Sequence, residues 1–255
     1  MNNHNIPDQL ALYRGLPHRI TEDIPIRAPT LEEICAYGEA DYFSMVQTLC
    51  SVGIDLCWQL EQINIPFDKI SDYELFCTVL RNYYGVEQTK ILFGDTLDLK
   101  HMELFKDENG GMRLEQKVQA DNGITKTITL CKKDYHKLAA CLRSLHHLKR
   151  NDAIAGTNSC RMAFIEDAKM EYEARRREPR RSYLMPLISA MVNHEGFKRN
   201  DQTVWNMNIY AFMDSVRRID RIRNSSLLLQ SGYSGFGIDL KKIKKEELNY
   251  MGELN

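Results

Sequence analysis

At 255 residues, 43% hydrophobic and 27% charged, the chain is long enough to bury a core without disulfides or metals and too apolar for wholesale disorder. A formal net charge of −1 excludes attraction to nucleic acid or membrane by bulk charge alone. No apolar run approaches the roughly 20 residues that cross a bilayer. The opening Met-Asn-Asn-His-Asn-Ile-Pro-Asp has neither the basic start nor the apolar stretch of a signal peptide, so a cytoplasmic location is expected.

Pro7, Pro17, Pro25 and Pro29 punctuate residues 1–30, which predicts an extended N-terminal arm with a short strand around residues 19–27. A helical region is expected over 31–89. It opens on the capping box Thr30-Leu31-Glu32-Glu33, in which hydroxyl and carboxylate satisfy each other's backbone N–H. Leu31, Ile34, Tyr42, Met45, Val46 and Leu49 supply its apolar stripe. Residues 56–65 also read as helix. A second box, Ser71 to Glu74, opens a helix bearing Tyr73, Phe76, Cys77 and Leu80.

Over 90–130 the period shifts toward two, which predicts a small β insertion. Residues 90–93 form its first candidate strand, Asn109-Gly110-Gly111 a hairpin turn, and 124–130 an alternating strand. Residues 131–255 read as a basic helical region packed with 31–89 as one domain. Its first helix carries Tyr135, Leu138, Ala139, Leu142 and Leu145 at core-facing spacing. A charged helix around 166–178 places acidic before basic residues, the order that favours i to i+4 pairing and the helix dipole. Residues 183–192 and 209–229 are expected to be paired core helices, and 240–251 a short basic terminal segment. The fold class is therefore mainly α: a helical domain with a small β insertion.

Charge is polarised along the chain. Residues 1–130 hold 11 Lys+Arg against 20 Asp+Glu, while residues 131–255 hold 23 against 15. This favours self-association into a homo-oligomer or docking on an acidic partner, unless the charges merely cover solvated faces.

The residues offer little chemistry. Cys35, Cys50, Cys57, Cys77, Cys131, Cys141 and Cys160 show no CxxC spacing and read as reduced core thiols. The seven histidines form no HExxH pattern or zinc-site spacing, so no metal is expected. The adjacent His146 and His147 read as surface or helix-end residues facing different sides. Gly232-Tyr233-Ser234-Gly235 falls short of a nucleophile elbow and follows a helix rather than a strand. Gly235-Phe236-Gly237 lacks the Lys-Ser/Thr of a phosphate loop. The expectation is a protein without catalytic residues or cofactors, and no enzyme.

Two clusters offer phosphate or acidic-partner contacts: Arg175, Arg176, Arg177, Arg180 and Arg181, and then Arg217, Arg218 and Arg221. Acidic residues interrupt both, so nucleic acid is not the expected partner. A cytoplasmic nucleic-acid-binding regulator using the basic half is the alternative. Trp205, Tyr210, Phe212 and Met213 carry more large apolar surface than one helix face hides, and are candidate protein-binding residues.

Several segments resemble tail-assembly proteins of tailed bacteriophages infecting Gram-positive hosts. They are Tyr13 to Ile20 (YRGLPHRI), Pro29 to Glu39 (PTLEEICAYGE), Thr203 to Val216 (TVWNMNIYAFMDSV), and the ending that contains IDLKKI and LNYMG. The family is that of phage tail assembly chaperone-like proteins. The resemblance covers about half the chain and implies a non-enzymatic helical protein in the host cytoplasm. Its partner would be the aggregation-prone tape measure protein or tail tube subunits. The same phrases suit a structural virion subunit, and the family has no catalytic residue to carry over.

Overall fold

The computed structural model describes residues 8–106, 111–119, 125–179, 181–234, 237–252 and 254. The protein is mainly α-helical with a small β component. The expected N-terminal arm is instead part of the body. Helix α1 (Gln9–Tyr13) is capped by Asp8, whose carboxylate accepts from Leu10 N–H at 3.0 Å and Ala11 N–H at 3.3 Å. Strands β1 (His18–Thr21) and β2 (Ile24–Ile26) pair as an antiparallel hairpin. Leu12, Ile20, Ile24 and Ile26 are all buried. The short strand expected around 19–27 is present as this hairpin, and Pro25 is tolerated within it because a two-stranded ribbon leaves each strand an open edge, where a missing N–H costs no ladder bond.

Helices α2 (Leu31–Tyr37) and α3 (Glu39–Cys50) follow. The Thr30 box forms as expected: Thr30 Oγ1 accepts from Glu33 N–H at 3.2 Å, and the Glu33 carboxylate accepts from Thr30 N–H at 2.8 Å. Next come α4 (Cys57–Gln62), α5 (Asp72–Thr78) and α6 (Val86–Phe93). The candidate strand at 90–93 is thus the second half of α6. A short apolar run has no decisive period of its own. Its surroundings settle it: the Gln88 side chain accepts from Gly85 N–H at the start, and Gly94 at φ 75° ends the helix.

The β insertion accordingly begins later, with β3 (Glu103–Lys106), β4 (Met112–Gln119) and β5 (Thr125–Cys131) in one antiparallel sheet. The register sets Leu104 opposite Leu114 and Leu114 opposite Leu130, and the last two are fully buried. Asn109 and Gly110 of the expected turn, and Ile124, lie outside the described residues. Arg81 anchors the lead-in to this sheet. Its Nη1 donates to the carbonyls of Leu99, Lys100 and Met102, and its Nε to that of Cys77.

Helix α7 (Lys132–Leu145) carries its expected stripe into the core against α3 and α5. Tyr135 stacks on Phe76 with ring centroids 4.4 Å apart, within the range where aromatic pairs add to simple burial. Helix α8 (Asn158–Arg177) buries only Ile165 among its described side chains. It is fixed to α4 by Arg161, which meets Glu61 at 2.7 Å and lies over the Phe67 ring. Helices α9 (Leu184–Val192), α10 (Ile209–Tyr233) and α11 (Lys245–Leu248) complete the chain. α10 packs chiefly against α1 and α11, so the expected pairing of 183–192 with 209–229 is not its main contact. The chain crosses itself at the start of α10. Leu31 N–H donates to the Met207 carbonyl, Ile209 N–H to that of Pro29, and the Asn208 amide to that of Tyr13 at 3.1 Å.

Candidate functional site

Four separated segments meet around a cavity of about 610 Å³. The start of α3 gives Phe43, the end of α7 gives His146, the residues before α9 give Arg181 and Tyr183, and α10 gives Ile209 and Met213. Glu39 sets this geometry. Its carboxylate accepts from Ser182 Oγ at 2.5 Å, Tyr183 N–H at 2.6 Å and Leu184 N–H at 2.7 Å. Tyr183, the N-cap residue of α9, offers no capping side chain. Ser182 Oγ accepts from Met185 N–H at 2.9 Å, and the Glu39 carboxylate from α3 satisfies the N–H groups ahead of it and complements the helix dipole. Tyr183 is thereby held edge-on to Phe43 at 5.7 Å, with 55% of its surface still exposed.

One side of the cavity is a buried polar pair. The Nδ1 of His146 lies 2.7 Å from the Leu142 carbonyl. A carbonyl only accepts, so Nδ1 carries the proton and Nε2 accepts from the Tyr42 hydroxyl at 2.6 Å. Burial pushes the His146 pKa down to about 4, against the raising effect of the Leu142 carbonyl, and pushes Tyr42 up. The pair is neutral at physiological pH. His147, at φ 52°, turns the other way and stacks on Tyr210 at 5.3 Å. Its Nδ1 accepts from Arg217 at 2.7 Å, and its Nε2 is buried with no partner among the described residues. Both histidines sit at a helix end as expected. Surface placement was wrong for His146, because its ring folds back onto its own last helical turn.

The expected binding residues separate. Phe212 is fully buried and Tyr210 is 7% exposed, so both belong to the core. Trp205 is partly buried against that core. Met213 alone among the four lines the cavity. Phe43, Tyr183 and Ile209 were missed; each sits in an ordinary apolar pattern, and only tertiary convergence brings them together.

The arginines separate likewise. Arg175 pairs with Glu171 at 2.6 Å, Arg177 lies 3.9 Å from Glu173, and Arg176 sits over the Tyr172 ring. Arg180 lies outside the described residues, and Arg181 is exposed at the cavity. Arg218 donates to the Tyr250 and Gly252 carbonyls, and Arg221 to those of Asn249 and Glu246. With Arg217 on His147, the second cluster is engaged by the protein itself.

All seven cysteines are free. Cys50, Cys57, Cys77 and Cys141 are buried as expected, whereas Cys35 is exposed and Cys131 and Cys160 are half-buried. Burial pushes the Cys50 thiol up to about 11 and Cys141 to about 12, far from the thiolate a nucleophile needs. Among the described residues no three His, Cys, Asp or Glu side chains are grouped to hold a metal ion, and no helix is long and apolar enough to cross a membrane. No protein-family model, curated protein or solved structure matches the chain.

Proposed function

We propose that this protein holds an apolar segment of another protein without catalysis, as a tail assembly chaperone for a tape measure protein or tail tube subunit. The observation that carries the reading is the cavity between α3, the residues leading into α9, and α10, whose Phe43, Tyr183 and Met213 present apolar surface on a framework held by Glu39. A preformed apolar pocket bordered by the exposed Arg181 suits a large side chain on a client helix, because little ordering entropy remains to be lost. The nucleic-acid alternative loses support from Arg217, Arg218 and Arg221, whose guanidinium groups bind this chain's own groups. A virion subunit would use the same surface permanently rather than transiently.

The test is co-expression with the tape-measure-like product of a neighbouring gene, followed by pull-down and thermal melting. Tyr183→Ser should weaken capture by about 2 kcal/mol or more, as exposed aromatic anchors do, with the melt nearly unchanged. Capture unaffected by Tyr183→Ser and by Met213→Ser would refute the reading.

A further inference from the structure

A second hollow, of about 490 Å³, lies on the other side of α10. Ala211, Ser215, Arg218 and Ile222 line it, at the four- and three-residue steps of one helix face, roughly opposite Ile209 and Met213 by helical rotation. Its other walls are Tyr13 and Arg14 at the end of α1, and Phe197, Lys198 and Arg199 in the connection before α10. Asn208 ties two of these walls together through its bond to the Tyr13 carbonyl.

Three of the cations at this hollow face solvent. Arg14, Lys198 and Arg199 are exposed, and no side-chain hydrogen bond or ion pair engages them among the described residues. Arg218 adds a fourth cation, fixed on the Tyr250 and Gly252 carbonyls. Phe197, Ile219 and Ile222 give the same hollow an apolar lining, and Asp214 is the one carboxylate among its described lining residues. The apolar surface is still exposed at its edges: 48% of Tyr13 and 41% of Ile222.

We propose that this hollow binds a segment of a partner protein in which Asp or Glu residues flank a large apolar side chain. The apolar side chain covers Ile219, Ile222 and Phe197, and the flanking carboxylates meet Arg14, Lys198 and Arg199. Such complementarity sets partner choice and encounter rate. A nucleic-acid backbone matches the site less well. Its phosphates would leave the apolar lining uncovered and would approach Asp214, whereas a peptide can turn a backbone N–H toward that carboxylate. The inference concerns the opposite face of α10 from the cavity, and does not depend on the tail-assembly reading.

A random peptide library displayed on phage is panned on the full chain, and the most enriched peptide is synthesised with a fluorescein label. Its affinity is then measured by anisotropy against the chain, a Lys198→Glu/Arg199→Glu variant and an Ile222→Ser variant. The expected result is enrichment of acidic residues beside Leu, Ile or Phe. Affinity should fall about tenfold or more in each variant, the equivalent of about 1.4 kcal/mol, weaken with salt, and stay unchanged in Tyr183→Ser. The substituted side chains are exposed, and thermal melts confirm that the variants fold. Failure to enrich acidic-apolar peptides, or binding indifferent to both variants, overturns the proposal. So does a labelled single-stranded oligonucleotide that binds more tightly than the peptide at physiological salt and is lost in the Lys198→Glu/Arg199→Glu variant, which would assign the site to nucleic acid.

Discussion

Lowering the pH should destabilise this protein through His146 well before carboxylates protonate. Burial holds the folded-state pKa near 4, against 6.5 for an unfolded histidine. The folded-state value is depressed, so the unfolded chain takes up the proton first as pH falls. The stability contributed by neutral His146 is complete above the unfolded value and is lost between about pH 6.5 and 4. Linkage makes this loss about 2 kcal/mol at pH 5 and about 3 kcal/mol at pH 4, relative to pH 7. His147 is also lowered, first by burial and then by Arg217, and contributes with the same sign. The assay is urea unfolding at pH 7 and pH 5 for the wild type and for His146→Gln, whose side chain does not titrate. The difference between the two proteins at pH 7 should shrink by about 2 kcal/mol at pH 5. If wild type and variant lose equal stability between these pH values, the buried neutral tautomer and its bond from Tyr42 are wrong.

Arg81→Met should cost about 2 to 3 kcal/mol, because three carbonyls ahead of the sheet lose a charged donor; denaturant titration measures it. Phe212→Ala should cost about 3 to 5 kcal/mol in the same titration, while capture per folded molecule stays unchanged, as befits a side chain with no exposed surface. Glu39→Ala should lower stability by about 1 kcal/mol through the lost cap on α9. It should also raise hydrogen exchange at Tyr183 and Leu184, and unchanged exchange there would show that another group serves the helix start.

The parts of the fold legible in sequence were those written in local chemistry. Thr30 and Glu33 announce α2 because both partners of the box are three residues apart, and the stripe from Tyr135 to Leu145 announces α7 because one helix face carries it. Residues 90–93 were misread because Ile91, Leu92 and Phe93 satisfy either period; the helix is decided upstream, at Gly85 and Gln88. The strand at 19–27 was legible between the N-terminal prolines, but its burial was not, because that depends on α6 and α7, far along the chain. The candidate site was less legible still. Tyr210 and Phe212 drew attention because they are large, yet size alone does not separate a core residue from a contact residue. Phe43 and Tyr183 face each other across more than a hundred positions, and the residue that orients them, Glu39, resembles any other acidic residue at a helix start.

The junction of Pro29 to Leu31 with Met207 to Ile209 bears on synthesis. Asn208 and the Tyr13 carbonyl it binds are 195 positions apart, so the ribosome must produce most of the chain before α1 and α2 gain their final neighbours. Contacts of such long separation close slowly. Until then the nascent N-terminal half displays Leu12, Leu31 and Ile34, side chains that the finished protein hides completely or nearly so. Translation pauses placed before residue 209 would therefore prolong that exposure and favour aggregation.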